Sequence, residues 1–167
     1  MSKLSKKEHL HKISELIKDV KFAMMTTTTH EGHLHACPMT TNSFDLEKKE
    51  IWFIGDKQTE TVADIERNPQ INLAYTCHHD KDYVSINGTA ELVDDKAILD
   101  KLWSHHYNAF YEHGKDDPNI QLIKVVPNGA EYWLSGNAVV NMFKMTAASV
   151  IDGKTAEQLG DNHSVTF

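Results

Sequence analysis

The sequence predicts an α+β fold, an antiparallel β-barrel with flanking helices. Three observations carry this. Short segments rich in β-branched and apolar residues recur along the chain, most of them meet across hairpin-length turns, and only three stretches show helical spacing. Hairpin-length joins dictate antiparallel pairing, and closing a small sheet into a barrel removes the strand edges that invite aggregation. The length of 167 residues suits one domain. Residues 1–167 are therefore read as a single unit, with an N-terminal helix at about 5–20 and a polar tail at about 152–167.

Each element has its own signal. Leu10, Ile13, Leu16, Ile17 and Val20 fall at helical spacing, and Ser5 with Glu8 forms a capping box at the start. Phe22 to Thr29 is a strand, His30 to His33 a turn, and Leu34 to Thr41 a second strand. Pro38 lacks an N–H and belongs at an edge or bulge of that strand. Ile51 to Ile54 is a short strand stopped by Gly55. Asp56 to Asn68 returns to helical spacing, with Val62, Ala63 and Ile65 as its apolar residues and Pro69 as its terminator. Ile71 to Thr76 and Tyr83 to Val93 are strands, the second bent or bulged at Gly88. A third helix starts at Asp94-Asp95, with Ile98, Leu99, Leu102, Trp103, His106 and Phe110 as its buried stripe. Three strands complete the count: Ile120 to Val126, Ala130 to Ser135 and Val139 to Val150, joined by Pro127-Asn128-Gly129 and Gly136-Asn137.

Composition narrows the function. Seventeen basic against 24 acidic residues give a net charge of −7, and only one of the basic residues, Arg67, is an arginine. Duplex binding relies on clustered Lys and Arg, so nucleic acid is not an expected partner. No apolar run reaches the roughly 18 residues of a membrane span. The N-terminus lacks the apolar core of a secretory signal, and the expected address is cytoplasmic.

Two cysteines, Cys37 and Cys77, are too few for a disulfide scaffold. Histidines lie near both, His30, His33 and His35 before Cys37 and His78-His79 after Cys77. In a strand His33, His35 and Cys37 share one face, which is suggestive of a metal site without being specific; buried free thiols are the expected role, with a haem or metal at these histidine-rich neighbourhoods as the alternative. No metal site is assigned.

No phosphate-binding glycine loop, zinc-protease helix or serine-hydrolase elbow is present. Asp80, Asp82, Asp94, Asp95, Asp116 and Asp117 read as turn and cap residues. His105-His106 reads as one packed and one exposed histidine. Trp52, Trp103, Tyr107, Phe110, Tyr132 and Trp133 read as core, with an interface as the alternative. No catalytic residue is identified.

An ordered set of short segments carries a resemblance. These are Ala23-Met24-Met25-Thr26, the Gly32 turn, Cys37-Pro38-Met39, Ile51-Trp52-Phe53-Ile54, Asn68-Pro69, and Tyr83 through Ala90. Leu102-Trp103, the Gly114 to Pro118 loop and Ala130-Glu131-Tyr132-Trp133 follow. Together they resemble the pyridoxamine 5'-phosphate oxidase-like split-barrel family, in its general stress protein 26 branch. The resemblance implies a homodimer of six-stranded split barrels with FMN in clefts at the interface. It places Cys37, Pro38, Met39 and Thr40 along the flavin ring, and Ile54, Gly55, Lys57, Thr59 and Thr61 around the phosphate. A helix N-terminus suits a phosphate, while Thr59 and Thr61 can equally cap or line the first helical turn.

Two departures stand out. Family members commonly carry an arginine where this chain has Cys37, and a lysine or arginine where it has Glu60 and Thr61. The resemblance therefore implies FMN with a weakened phosphate site. Two functions follow. One is a general-stress flavoprotein or flavin-dependent oxidoreductase of unknown substrate, in which the flavin itself carries the redox chemistry. The alternative is a non-enzymatic binding module that has lost FMN or binds another ligand such as haem.

Overall fold

A computed structural model describes residues 4–77, 82–135 and 161–167. The expected capping box opens helix α1, Lys6–Val20: the Ser5 hydroxyl accepts the Glu8 N–H, and the Glu8 carboxylate accepts the Ser5 N–H. Its apolar stripe buries Leu10, Ile13 and Ile17. Strands β1 (Phe22–Thr28), β2 (Leu34–Asp45) and β3 (Glu50–Asp56) follow, then α2 (Glu60–Arg67). Next come β4 (Gln70–Cys77), β5 (Asp82–Val93) and α3 (Lys96–Leu102), two 3₁₀ turns, β6 (Ile120–Leu134) and β7 (Asp161–Thr166).

All strand pairings among the described residues are antiparallel. The sheet order is β3-β2-β1-β4-β5-β6-β7, and β6 also pairs with β3, from Ile51 opposite Val125 to Asp56 opposite Ile120. That extra ladder closes a barrel of six strands; the hairpin pattern predicted a barrel, and the resemblance implied the six strands. Strand alternation fills it: Ala23, Met25, Leu73, Tyr75, Ile86 and Val125 point inward and are buried. A smaller cluster of Trp52, Ile54, Tyr111, Ile120 and Leu122 lies apart from this core, with Leu99, Leu102 and Trp103 packed against it.

Several expectations change. The Pro127-Asn128-Gly129 segment is not a turn; β6 runs through it, with a register shift that leaves Asn128 unmatched between Gly88–Pro127 and Asn87–Gly129. The irregularity foreseen at Gly88 and the one read as a turn are one bulge seen from two strands. A Cβ at Gly88 would lie 2.8 Å from the Val126 carbonyl oxygen, so only glycine permits this approach. The third helix stops at Leu102 rather than running to Phe110; His105–Ala109 is a 3₁₀ turn. Phe110 is 78% exposed, and His105 and His106 are both exposed. Loss of the helical repeat after Trp103 takes His106 and Phe110 out of the stripe, so the one packed histidine expected of the pair is exposed as well.

In α2 the inward residues are Thr61, Val62, Asp64 and Ile65, while Ala63 faces solvent. Asp56 to Thr59 is a turn leading into that helix, with the Thr59 N–H bonded to the Asp56 carbonyl. Within the expected polar tail, residues 161–166 form β7 along β6. Pro38 sits where β2 pairs with β1, three residues before the pairing with β3 begins at Thr41, the edge position expected of it. The expected strand Val139–Val150 and the residues His78, His79 and Asp80 lie outside the described residues. Among the described residues, no helix is long and apolar enough to cross a membrane.

Candidate functional site

The site assembles where the first half of β2 meets the β3–α2 junction. Alternation along β2 half-buries His35, Cys37 and Met39 on one face and exposes Ala36, Pro38 and Thr40 on the other. The Cys37 thiol lies 3.1 Å from the Thr61 hydroxyl in the first turn of α2. One step along, the Met39 methyl approaches Gly55 so closely that a Cβ there would sit 3.6 Å from it. Thus Cys37, Met39, Gly55 and Thr61 come together, whereas Pro38 and Thr40 point to the opposite side of the strand.

The remaining candidates separate. Ile54 is buried in the small cluster with Trp52 and Tyr111. Lys57 turns away to pair with Asp94 at 3.2 Å, over a cleft of about 310 Å³ floored by Leu99, Ile120 and Leu122. Thr59 is the N-cap of α2; its hydroxyl accepts the Val62 N–H and donates to the Asp56 carbonyl at 2.7 Å. Its capping role is thereby realised.

Asp64 and Tyr111 near the site were not foreseen in it, and His35 was foreseen only as sharing a strand face with Cys37. Asp64 is fully buried, receives the Thr27 hydroxyl at 2.8 Å and holds the Arg67 guanidinium at 2.6 Å. Its i, i+3 spacing to Arg67 was the signal available in the sequence. The His35 imidazole, on the same face of β2 as Cys37, has its Nδ1 buried without a hydrogen-bond partner, 4.0 Å from an Asp64 oxygen. Tyr111 donates its hydroxyl to the Gly55 carbonyl at 2.7 Å. Burial, with lesser contributions from Asp56, Tyr107 and Asp117, pushes the Tyr111 hydroxyl up to about 12, so it remains a donor. No local pattern marks Tyr111, which lies 56 residues from Gly55.

The histidines near Cys37 do not converge. His33 is exposed beside Glu31 at 3.6 Å, His35 faces Asp64, and Cys37 faces Thr61. Among the described residues, no group of three or more His, Cys, Asp or Glu side chains gathers as a metal site. Of the paired acids, Asp95 accepts the Ile98 N–H and Asp117 the Asn119 N–H, the cap and turn roles expected, whereas Asp94 and Asp116 pair with Lys57 and Lys96, Asp82 lies in β5, and Asp80 lies outside the described residues.

A phosphorylated flavin can be tested against these groups. The β2 face and Gly55 offer a partly apolar wall that suits an aromatic ring. The start of α2, where the resemblance places the phosphate, does not suit a dianion. Thr59 and Thr61 are engaged within the protein, Lys57 and Arg67 have carboxylate partners, and Asp56 and Glu60 add negative charge at the start of α2.

A family model described as pyridoxamine 5'-phosphate oxidase like matches residues 8–157. Protein bli-3 of Neurospora crassa is 25% identical over 158 residues, covering 89% of this chain and 76% of the relative. General stress protein 26 of Bacillus subtilis is 31% identical over 103 residues, covering 60% of this chain and 71% of the relative. The crystal structure of a general stress FMN/FAD binding protein from Xanthomonas citri superposes with a TM-score of 0.69 at 28% identity, covering 79% of this chain and 92% of that one.

Proposed function

The chain belongs to the pyridoxamine 5'-phosphate oxidase-like family, and from that membership we propose that it is a general-stress flavoprotein, a homodimer holding a flavin-type cofactor and acting as a flavin-dependent oxidoreductase. The observation that carries this reading is the meeting of Cys37 and Met39 with Thr61 and Gly55. The two segments that the resemblance assigned to one cofactor are distant in sequence and adjacent in space. The similarity to a Xanthomonas citri protein described as FMN/FAD binding supports the same reading.

In this proposal Met39 and the thiol of Cys37 form one wall of a flavin cleft that the second subunit completes, and Tyr111 fixes the Gly55 backbone beside them. A bound flavin supplies the electron-transfer chemistry; the chain excludes water and orients the ring. The second subunit covers an exposed apolar face on the outside of the barrel. Phe22 and Met24 are 61% and 44% exposed there, next to Pro38, and Tyr83 and Trp133 pair farther along the same sheet.

The test is an absorbance scan of protein purified without added cofactor, followed by fluorescence titration with riboflavin and FMN. Flavin bands or saturable quenching at one flavin per protomer are expected. A colourless protein that quenches neither flavin would overturn the reading.

A further inference from the structure

We propose that the cleft selects a flavin without a phosphate, riboflavin, over FMN; this rests on the flavin-binding reading and specifies its ligand. The charges around the start of α2 are the reason. A phosphate monoester carries about −1.5 to −2 charge at neutral pH, and a seat for it needs an available cation or donor. Here the hydroxyl of Thr61 is buried against the Cys37 thiol at 3.1 Å. The Lys57 ammonium is held by Asp94 at 3.2 Å. The Arg67 guanidinium stands at the far end of α2, held by Asp64 at 2.6 Å and by the Ala63 carbonyl.

Carboxylates dominate what remains. Glu60 occupies the first turn of α2, where it already complements the positive end of the helix. The Asp56 carboxylate accepts the Gln58 N–H at 2.7 Å in the turn before it. Asp64 adds a buried charge on the inward face, balanced by Arg67. A dianion entering this junction meets net negative charge, whereas the uncharged terminal hydroxyl of riboflavin, the one group in which it differs from FMN, meets no such repulsion. The discrimination is electrostatic, so it weakens with added salt.

Riboflavin and FMN are titrated separately into the full chain at neutral pH and low salt, with quenching of flavin fluorescence as the readout. Riboflavin is expected to bind about tenfold more tightly, a difference of about 1.4 kcal/mol. The exposed substitution Glu60→Lys reverses one charge without disturbing the core. It should raise FMN affinity by about tenfold and leave riboflavin affinity within about twofold. Cys37→Arg should shift the ratio in the same direction. FMN binding as tightly as riboflavin, or more tightly, would overturn the proposal while leaving the flavin-binding reading intact. An FMN-to-riboflavin ratio unmoved by Glu60→Lys would also overturn it. Failure to bind either flavin removes the reading on which it rests.

Discussion

Asp64 shows how one residue constrains the site. It is a fully buried carboxylate whose partners, the Thr27 hydroxyl and the Arg67 guanidinium, come from a strand and from its own helix. Asp64→Ala would leave the buried Thr27 hydroxyl without its acceptor and Arg67 without its counter-ion. A buried pair broken on one side typically costs about 3–5 kcal/mol. Because Arg67 can turn to water, we expect about 2–3 kcal/mol in urea unfolding, with Asp64→Asn costing less. Two tyrosines set an alkaline limit. Burial raises the Tyr75 hydroxyl to about 12, against a smaller opposing effect of its hydrogen bond with Thr41, and Tyr111 is likewise raised to about 12. The folded state keeps these protons where the unfolded state, near pH 10, releases them. Their contribution is therefore complete below about pH 10 and is lost as pH rises towards 12. For Tyr75 the loss amounts to up to about 3 kcal/mol. Denaturation followed with pH should show this decline, and Tyr75→Phe should reduce it.

At the scale of the element, the bulge between β5 and β6 and the start of α2 matter most. Gly88 allows β6 to pass without a turn, and a Cβ there would also lie 2.9 Å from the Val125 side chain. Gly88→Ala should destabilise by about 1–3 kcal/mol through this crowding, measurable as a lower midpoint in urea. Gly32 is the contrasting case: its φ of +83° lies in the left-handed region, and nothing surrounds its Cβ position. A substitution there is strained by its backbone rather than its neighbours. For α2, Thr59→Ala removes the hydroxyl that caps Val62 and should cost about 1 kcal/mol. Its effect on flavin binding separates the cap from any part in ligation: a purely capping residue changes stability and leaves the ratio of FMN to riboflavin affinity unchanged.

For the whole molecule, the exposed face of β1 and β2 is the feature least compatible with a lone barrel. Phe22 and Met24 stand on it opposite Thr40 and Pro38, and apolar residues gathered in this way mark an association surface. The proposed homodimer predicts a solution mass of twice 18.9 kDa. Met24→Glu, at a position already 44% exposed, should shift sedimentation towards the monomer and weaken flavin binding together with it. A monomeric wild-type protein at micromolar concentration would oppose the dimer.

The sequence by itself determined the antiparallel barrel and the order of its elements from α1 to α3, because alternation, turn residues and caps act over a few neighbouring positions. The Ser5–Glu8 box and the β2 alternation were legible for that reason. It also brought the two halves of the candidate site to notice through resemblance. What only tertiary structure decided were the partnerships. Cys37 meets Thr61, Lys57 is drawn to Asp94, Tyr111 reaches Gly55, and Phe110 turns outward. Pro127-Asn128-Gly129 looks like a turn in isolation, yet Gly88 across the ladder makes it a bulge. Such outcomes depend on which side chains barrel closure brings into contact, and competition among distant charges for a partner has no signature in local spacing.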